Sequence, residues 1–129
     1  MPRLLYIRCL TCSSPLTKQL EQVDYSLRIE EAEVPYLPDG TISQEDGSYF
    51  NTHAGAYITN LEASVNMSLT KDTNLLTGCC GPSGSDGPNL LCDTCKGYVA
   101  TKVADCGTPR FIVFDPKATS DETIQNGIA

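Results

Sequence analysis

The chain contains no tryptophan and one histidine, His53. With three Phe and six Tyr as its whole aromatic content, a 129-residue chain can build only a thin core, although its length suits a single domain. A cross-link from outside the core would therefore help the fold. A single histidine also makes any Ser/His/Asp or Cys/His machine rest wholly on His53. That residue sits in a polar loop beside Asn51 and Thr52 and reads as a solvated side chain. Basic residues are scarce as well: nine Lys and Arg against sixteen Asp and Glu give a formal charge of -7 and a pI near 4.5. The bases are scattered from Arg3 to Lys117 without a cluster, which excludes a polyphosphate-binding surface and, with it, nucleic acid as a partner. No apolar run approaches the length of a membrane span, so no membrane partner is expected. The run Leu4 to Ile7 is shorter than the core of a signal peptide and is closed by Arg8. These absences imply a cytoplasmic protein whose thiols stay reduced. No glycine-rich phosphate cradle is present, because GPSGSDG (81–87) precedes no helix.

What the chain does contain is alternation. LLYIR (4–8) reads as a first strand. In VDYSLRIE (23–30), Val23, Tyr25, Leu27 and Ile29 face one way and polar residues the other, the pattern of a half-buried strand. Residues 35–55 form a loop with turn dipeptides at Asp39-Gly40 and Asp46-Gly47 and a loose hairpin through Tyr49-Phe50. LEASVNMSL (61–69) alternates again, in a strand beginning near Tyr57. GCCGPSGSDGPN (78–89) is a second loop, YVATKVA a strand, and RFIVF (110–114) a strand covered on both sides. No segment supports a helix longer than two turns. The expectation is an all-β chain of about six or seven strands, with one zinc-binding domain over residues 1–116 and a flexible or lightly docked tail over 117–129.

Seven cysteines carry the chemistry. CLTCSSPL (9–16) and CDTCKGYV (92–99) share one pattern: Cys, any residue, Thr, Cys, three residues, then an apolar side chain. Such a turn directs backbone N–H groups towards the first thiolate and leaves both sulfurs on one side. Two of them supply the four soft ligands of a tetrahedral metal site, here Cys9, Cys12, Cys92 and Cys95. A redox pair needs one such motif at the start of a helix, and no helix follows here. A full disulfide framework is opposed by the odd count and the reducing compartment. Zinc and iron both accept four sulfurs; zinc is the expectation because nothing else points to electron transfer. Closing the roughly 80-residue loop from Cys12 to Cys92 costs about 4 kcal/mol plus a constant. A structural zinc site contributes on the order of 10 kcal/mol, which offsets that closure. A closed four-sulfur shell leaves no open position, so this ion should be structural.

Cys79, Cys80 and Cys106 remain. Adjacent residues of an extended chain point opposite ways, so Cys79 and Cys80 are not expected to share a metal. They read as one buried small side chain and one free thiol, and Cys106, in the turn ADCGTP, as a packing residue first.

The order of these parts resembles the Yippee-like family and its relatives in the β-tent zinc superfamily, among them the cereblon thalidomide-binding domain and the B-type methionine sulfoxide reductases. The matching stretches are YIRCLTCSSPL (6–16), AYITNLEASVNMSLTKDTNLLTG (56–78), LLCDTCKGYVATKV (90–103) and RFIVF. The resemblance implies two antiparallel sheets packed at an angle and pinned at their apex by a zinc on Cys9, Cys12, Cys92 and Cys95. The cereblon-type cage is built from three Trp, which this chain lacks. The reductases' catalytic Cys lies on a late strand behind His residues, whereas Cys106 falls in a turn without them. Only the scaffold and its metal carry over. The expected function is a zinc-stabilised, non-catalytic module that binds a protein or small-molecule ligand through the sheet concavity and loops 36–55 and 78–90. The alternative is a thiol oxidoreductase or redox sensor, of the methionine sulfoxide reductase type, using Cys79, Cys80 or Cys106.

Overall fold

The structure, a computed structural model, describes residues 3–47 and 55–124. His53 and the hairpin expected through Tyr49-Phe50 lie outside the described residues. Nine strands occur among them: β1 (Arg3–Cys9), β2 (Leu20–Gln22), β3 (Thr41–Gln44), β4 (Tyr57–Thr59), β5 (Met67–Leu69), β6 (Leu90–Cys92), β7 (Tyr98–Val103), β8 (Phe111–Phe114) and β9 (Thr119–Ile124). Three short 3-10 turns accompany them, and there is no α-helix among the described residues. The all-β expectation holds. The arrangement is not two antiparallel sheets but one mixed sheet in the order β5-β6-β7-β8-β4-β3-β2-β1-β9, in which β2 and β3 run parallel.

This sheet curls until its two ends meet. Residues 15–18, just after the first cysteine pair, lie antiparallel to residues 63–66, just before β5. Lys18 donates to the Ala63 carbonyl at 3.0 Å, Val65 to Leu16 at 2.9 Å, and the Asn66 side-chain amide to Pro15 at 2.8 Å. The inner side of the curl is filled by Leu5, Ile7, Leu16, Leu20, Ile42, Val99, Ile112 and Phe114. Because these residues come from both ends and the middle of the sheet, the interior is a core and not an open concavity. A second core lies on the outer face, where Tyr25, Tyr36 and Leu37 cover Ile58, Phe111 and Val113. Strand β8 is therefore buried on both faces along its whole length, as its unbroken apolar run demands.

Two alternating segments are not the strands their periodicity implies. Within 23–30 the chain makes a 3-10 turn at Tyr25–Leu27, because the Asp24 carboxylate accepts the Ser26 N–H at 2.9 Å and bends the backbone locally. Tyr25 is buried, while Leu27 and Ile29 stay exposed. Within 61–69, residues Leu61–Ala63 form another 3-10 turn. Asn66 then takes a left-handed conformation (φ 57°), so only Met67–Leu69 pair as a strand. Asn tolerates this conformation better than most residues. Buried Asn60 explains where β4 stops. Its side chain accepts the Leu37 N–H at 3.0 Å and donates to the Leu37 carbonyl at 2.7 Å, replacing a strand pairing with side-chain bonds.

The tail expected to be flexible or lightly docked over 117–129 contains a strand among its described residues. Thr119–Ile124 pair antiparallel with β1 over six positions, from Cys9 opposite Thr119 to Leu4 opposite Ile124. Arg3 bonds Asp121 at 2.9 Å and Arg8 bonds Glu122 at 2.6 Å across that pair. This strand is polar and sits at the sheet edge, held through its backbone and charges, so no apolar periodicity announces it.

Candidate metal centre

The two cysteine pairs sit where the curled sheet closes. Cys9 ends β1, beside one edge of the sheet, and Cys92 ends β6, beside the other. Each pair occupies a turn with the same hydrogen bonds. Cys9 donates to the Ser14 carbonyl at 2.9 Å and accepts Ser13 at 2.8 Å. Cys92 donates to Gly97 at 2.9 Å and accepts Lys96 at 2.8 Å. Ser13 and Lys96 both stand at φ 65°, the left-handed conformation that folds each turn back on its first cysteine. The residues after the second cysteine differ in chemistry, so this shared geometry is set by the turn itself. The N–H groups it turns inward, those of Ser14 and Gly97, reach the second sulfur of each pair.

All four sulfurs lie within 4.8 Å of one another. The Cys9 and Cys95 sulfurs are 3.6 Å apart, as are those of Cys12 and Cys92, and all four thiols are free. A tetrahedral ion with metal–sulfur bonds near 2.3 Å needs sulfurs about 3.8 Å apart, whereas a disulfide needs about 2.05 Å. The arrangement therefore fits a four-sulfur metal site and not a pair of disulfides. Cys9 and Cys92 are buried; Cys12 and Cys95 are half-buried. Around them the Ser14 hydroxyl bonds Thr94 across the seam at 3.1 Å.

The proton balance of the cluster is uneven. Cys12 is brought down to about 6, chiefly by the Ser14 hydroxyl and then by the Ser14 N–H. At Cys95 the Gly97 N–H acts downward, but the Cys9 sulfur, burial and the other two sulfurs outweigh it and push the thiol up to about 11. A thiolate thus forms readily at Cys12 and is resisted at Cys95 by the neighbouring sulfurs. A divalent cation at the centre relieves that repulsion.

Sequence reasoning placed these four residues together. It missed a second cluster: the sulfurs of Cys79, Cys80 and Cys106 also lie within 4.8 Å of one another. The chain at Cys79-Cys80 is bent, not extended, so the argument that adjacent side chains diverge does not apply. The bend is held by Asp105. Its carboxylate accepts the N–H groups of Cys80 at 2.9 Å, Cys106 at 2.7 Å and Cys79 at 3.2 Å. Those three bonds hold Asp105 below the usual carboxylate range, Cys80 contributing most. Cys79 and Cys80 are both exposed and Cys106 is half-buried, so neither of the adjacent thiols is the buried packing residue expected from sequence. The signal that would have found this cluster is the pair Gly78 and Gly81. A Cβ on Gly78 would stand 1.8 Å from the Gly81 carbonyl oxygen, and one on Gly81 would stand 2.5 Å from that of Ala104.

No helix among the described residues is long and apolar enough to cross a membrane. No protein-family model, curated protein or solved structure matches the chain.

Proposed function

We propose that this chain is a zinc-stapled β domain that resembles the Yippee-like family in its two cysteine pairs, built on one curled sheet in place of the two sheets of a β-tent. In this reading it serves as a non-catalytic binding module for a protein or small ligand in a reducing compartment such as the cytoplasm. The observation that carries the reading is the meeting of four sulfurs, within 4.8 Å, at the seam between the two ends of one sheet. A single ion there joins Cys9 and Cys12 to Cys92 and Cys95, and its filled shell leaves no position for substrate. Zinc suits four thiolates without requiring redox chemistry. The ligand surface lies outside the curl, since the interior is packed. A groove of about 380 Å³ beside the outer core is lined by Ile29, Val34, Pro35 and Pro38, with Glu31 and Glu62 at its edge. An apolar floor with acidic margins suits an apolar ligand carrying positive charge.

A second reading is favoured by one observation, the gathering of Cys79, Cys80 and Cys106. Two of these thiols giving up two electrons and two protons to a sulfoxide would yield a sulfide, water and a disulfide. The two readings separate in one experiment. Purified protein is incubated with a methionine sulfoxide substrate and a dithiol reductant, and its metal content is measured beside the turnover. Stoichiometric zinc without turnover is the result expected of a binding module. Turnover that disappears on Cys106→Ser would replace it with the thiol reductase.

A further inference from the structure

The three-sulfur cluster stands apart from the seam. Strand β7 runs from Tyr98, just past the second cysteine pair, to Val103, just before Asp105 and Cys106. Its six residues span about 20 Å at the usual strand rise. Cys79, Cys80 and Cys106 therefore cannot ligate an ion held at the seam.

Their loop is also constructed tightly around them. Pro82 accepts the Ala104 N–H at 2.9 Å, which fixes the loop against the end of β7. Thr77 accepts the Ser83 N–H at 3.0 Å, and its own N–H is held by Asp86 at 2.9 Å. Gly78 and Gly81 pass so close to neighbouring carbonyls that no side chain fits at either. Asp105 then binds the backbone N–H of all three cysteines. Three thiols are thus brought together by a carboxylate that gives three of its roughly four acceptor positions to their backbone, and the ligand atoms that gather within 4.8 Å are the three sulfurs without it, so Asp105 is the support of the cluster and not its fourth ligand.

We infer that Cys79, Cys80 and Cys106 form a second metal site, three thiolates for a thiophilic divalent ion of the zinc class, with its fourth position open to solvent. The chemistry follows from the donor set. Three soft sulfurs within 4.8 Å match zinc or its surrogates cobalt and cadmium. Cys79 and Cys80 are exposed, so the vacant side of the tetrahedron faces water and can take a water, an anion or an external thiol. Three protein ligands with one exchangeable position is the arrangement of zinc sites that exchange or activate a ligand, in contrast to the closed four-sulfur shell at the seam. The exposed ion should also leave faster to a chelator than the one whose ligands include buried Cys9 and Cys92.

The test is a Zn2+ titration of the reduced, metal-free full chain against a chromophoric chelator. Wild type is expected to bind two equivalents, one of them withdrawn readily. The variants Cys106→Ser and Cys79→Ser/Cys80→Ser should keep one equivalent, the tightly held one, and lose the labile one; variants that hold no tight equivalent would count against the seam and not against this site. This pattern distinguishes failure here from failure of the seam reading. A second readout needs no variant. In wild type carrying one equivalent, iodoacetamide should label Cys79 and Cys80 freely, and a second equivalent should slow that labelling about tenfold or more. Two results would overturn the inference: a second equivalent that leaves the labelling rate unchanged, or a disulfide found among the three cysteines in freshly isolated protein.

Discussion

At the scale of single residues, positions without a side chain decide as much as the sulfurs do. Gly78→Ala sets a methyl group against the backbone of Gly81, where neither partner can rotate away. The loop must shift, and we expect a loss of about 1–3 kcal/mol in denaturant unfolding. Gly107→Ala, one residue past Cys106, meets nothing within 4 Å and should change stability little. Equal effects at the two glycines would mean that the loop is not packed as described. Tyr36 offers a different test. Its hydroxyl and that of Tyr25 are 2.6 Å apart in the outer core, and its ring stacks on Phe111 with centroids 4.6 Å apart. Burial, with the Tyr25 hydroxyl second, raises Tyr36 well above the ordinary tyrosine value of 10.0. A raised value in the folded state means that Tyr36 contributes its stability fully below pH 10 and loses it as pH rises beyond that. Unfolding midpoints followed from pH 8 to 11 should fall at the alkaline end, and Tyr36→Phe should flatten that fall. The same variant should lose about 1 kcal/mol at neutral pH through the hydroxyl left behind on Tyr25.

At the scale of elements, one buried side chain stands in for strand pairing and one edge strand rests on it. Asn89, wholly buried beside β6, accepts the Lys102 N–H at 2.6 Å and donates to the Lys102 carbonyl at 3.1 Å. It extends the β6–β7 pairing past Leu90, on the side away from the register shift at Leu90/Leu91. Asn89→Ala should cost about 2–3 kcal/mol by stranding both groups, and hydrogen exchange at Lys102 should accelerate. Ending the chain after Ala118 removes β9 and leaves the backbone of β1 unpaired along that edge. The amides of β1 that bond β9 should then lose their protection, whereas neutralising Glu122 alone should cost at most about 1 kcal/mol, as an exposed ion pair does. These elements also mark what the sequence disclosed and what it hid. Strands β1, β7 and β8 were legible because apolar burial shapes them: Leu5, Ile7, Val99 and Val103 must face a core, and β8 faces two. The four seam cysteines were legible because their spacing repeats. Strand β9 was hidden because it is held by backbone and charge, and 23–30 was misread because one carboxylate, Asp24, outweighs the alternation. The Cys79/Cys80/Cys106 cluster was hidden because it depends on a bend made by Asp105, which neighbours only one of the three in sequence.

For the whole molecule, the curl is the central feature. A sheet with β5 and β9 at its edges gains a closed interior only if those ends stay together. The 15–18 and 63–66 segments supply a few hydrogen bonds there, and in the proposed reading an ion on the four sulfurs supplies the rest of the joint. Stripping metal with a chelator should therefore lower the thermal midpoint sharply and expose the inner core to hydrophobic dyes, because a structural four-sulfur site is worth on the order of 10 kcal/mol. Cys12→Ser should reproduce that state in the presence of metal. The central claim, that one ion held by four sulfurs closes the sheet, is tested most directly by X-ray absorption at the metal edge, using the Cys79→Ser/Cys80→Ser/Cys106→Ser variant so that only the seam contributes. The account predicts one metal per chain with four sulfur neighbours at about 2.3 Å. A protein that folds without stoichiometric metal, or a first shell containing nitrogen or oxygen, would contradict it.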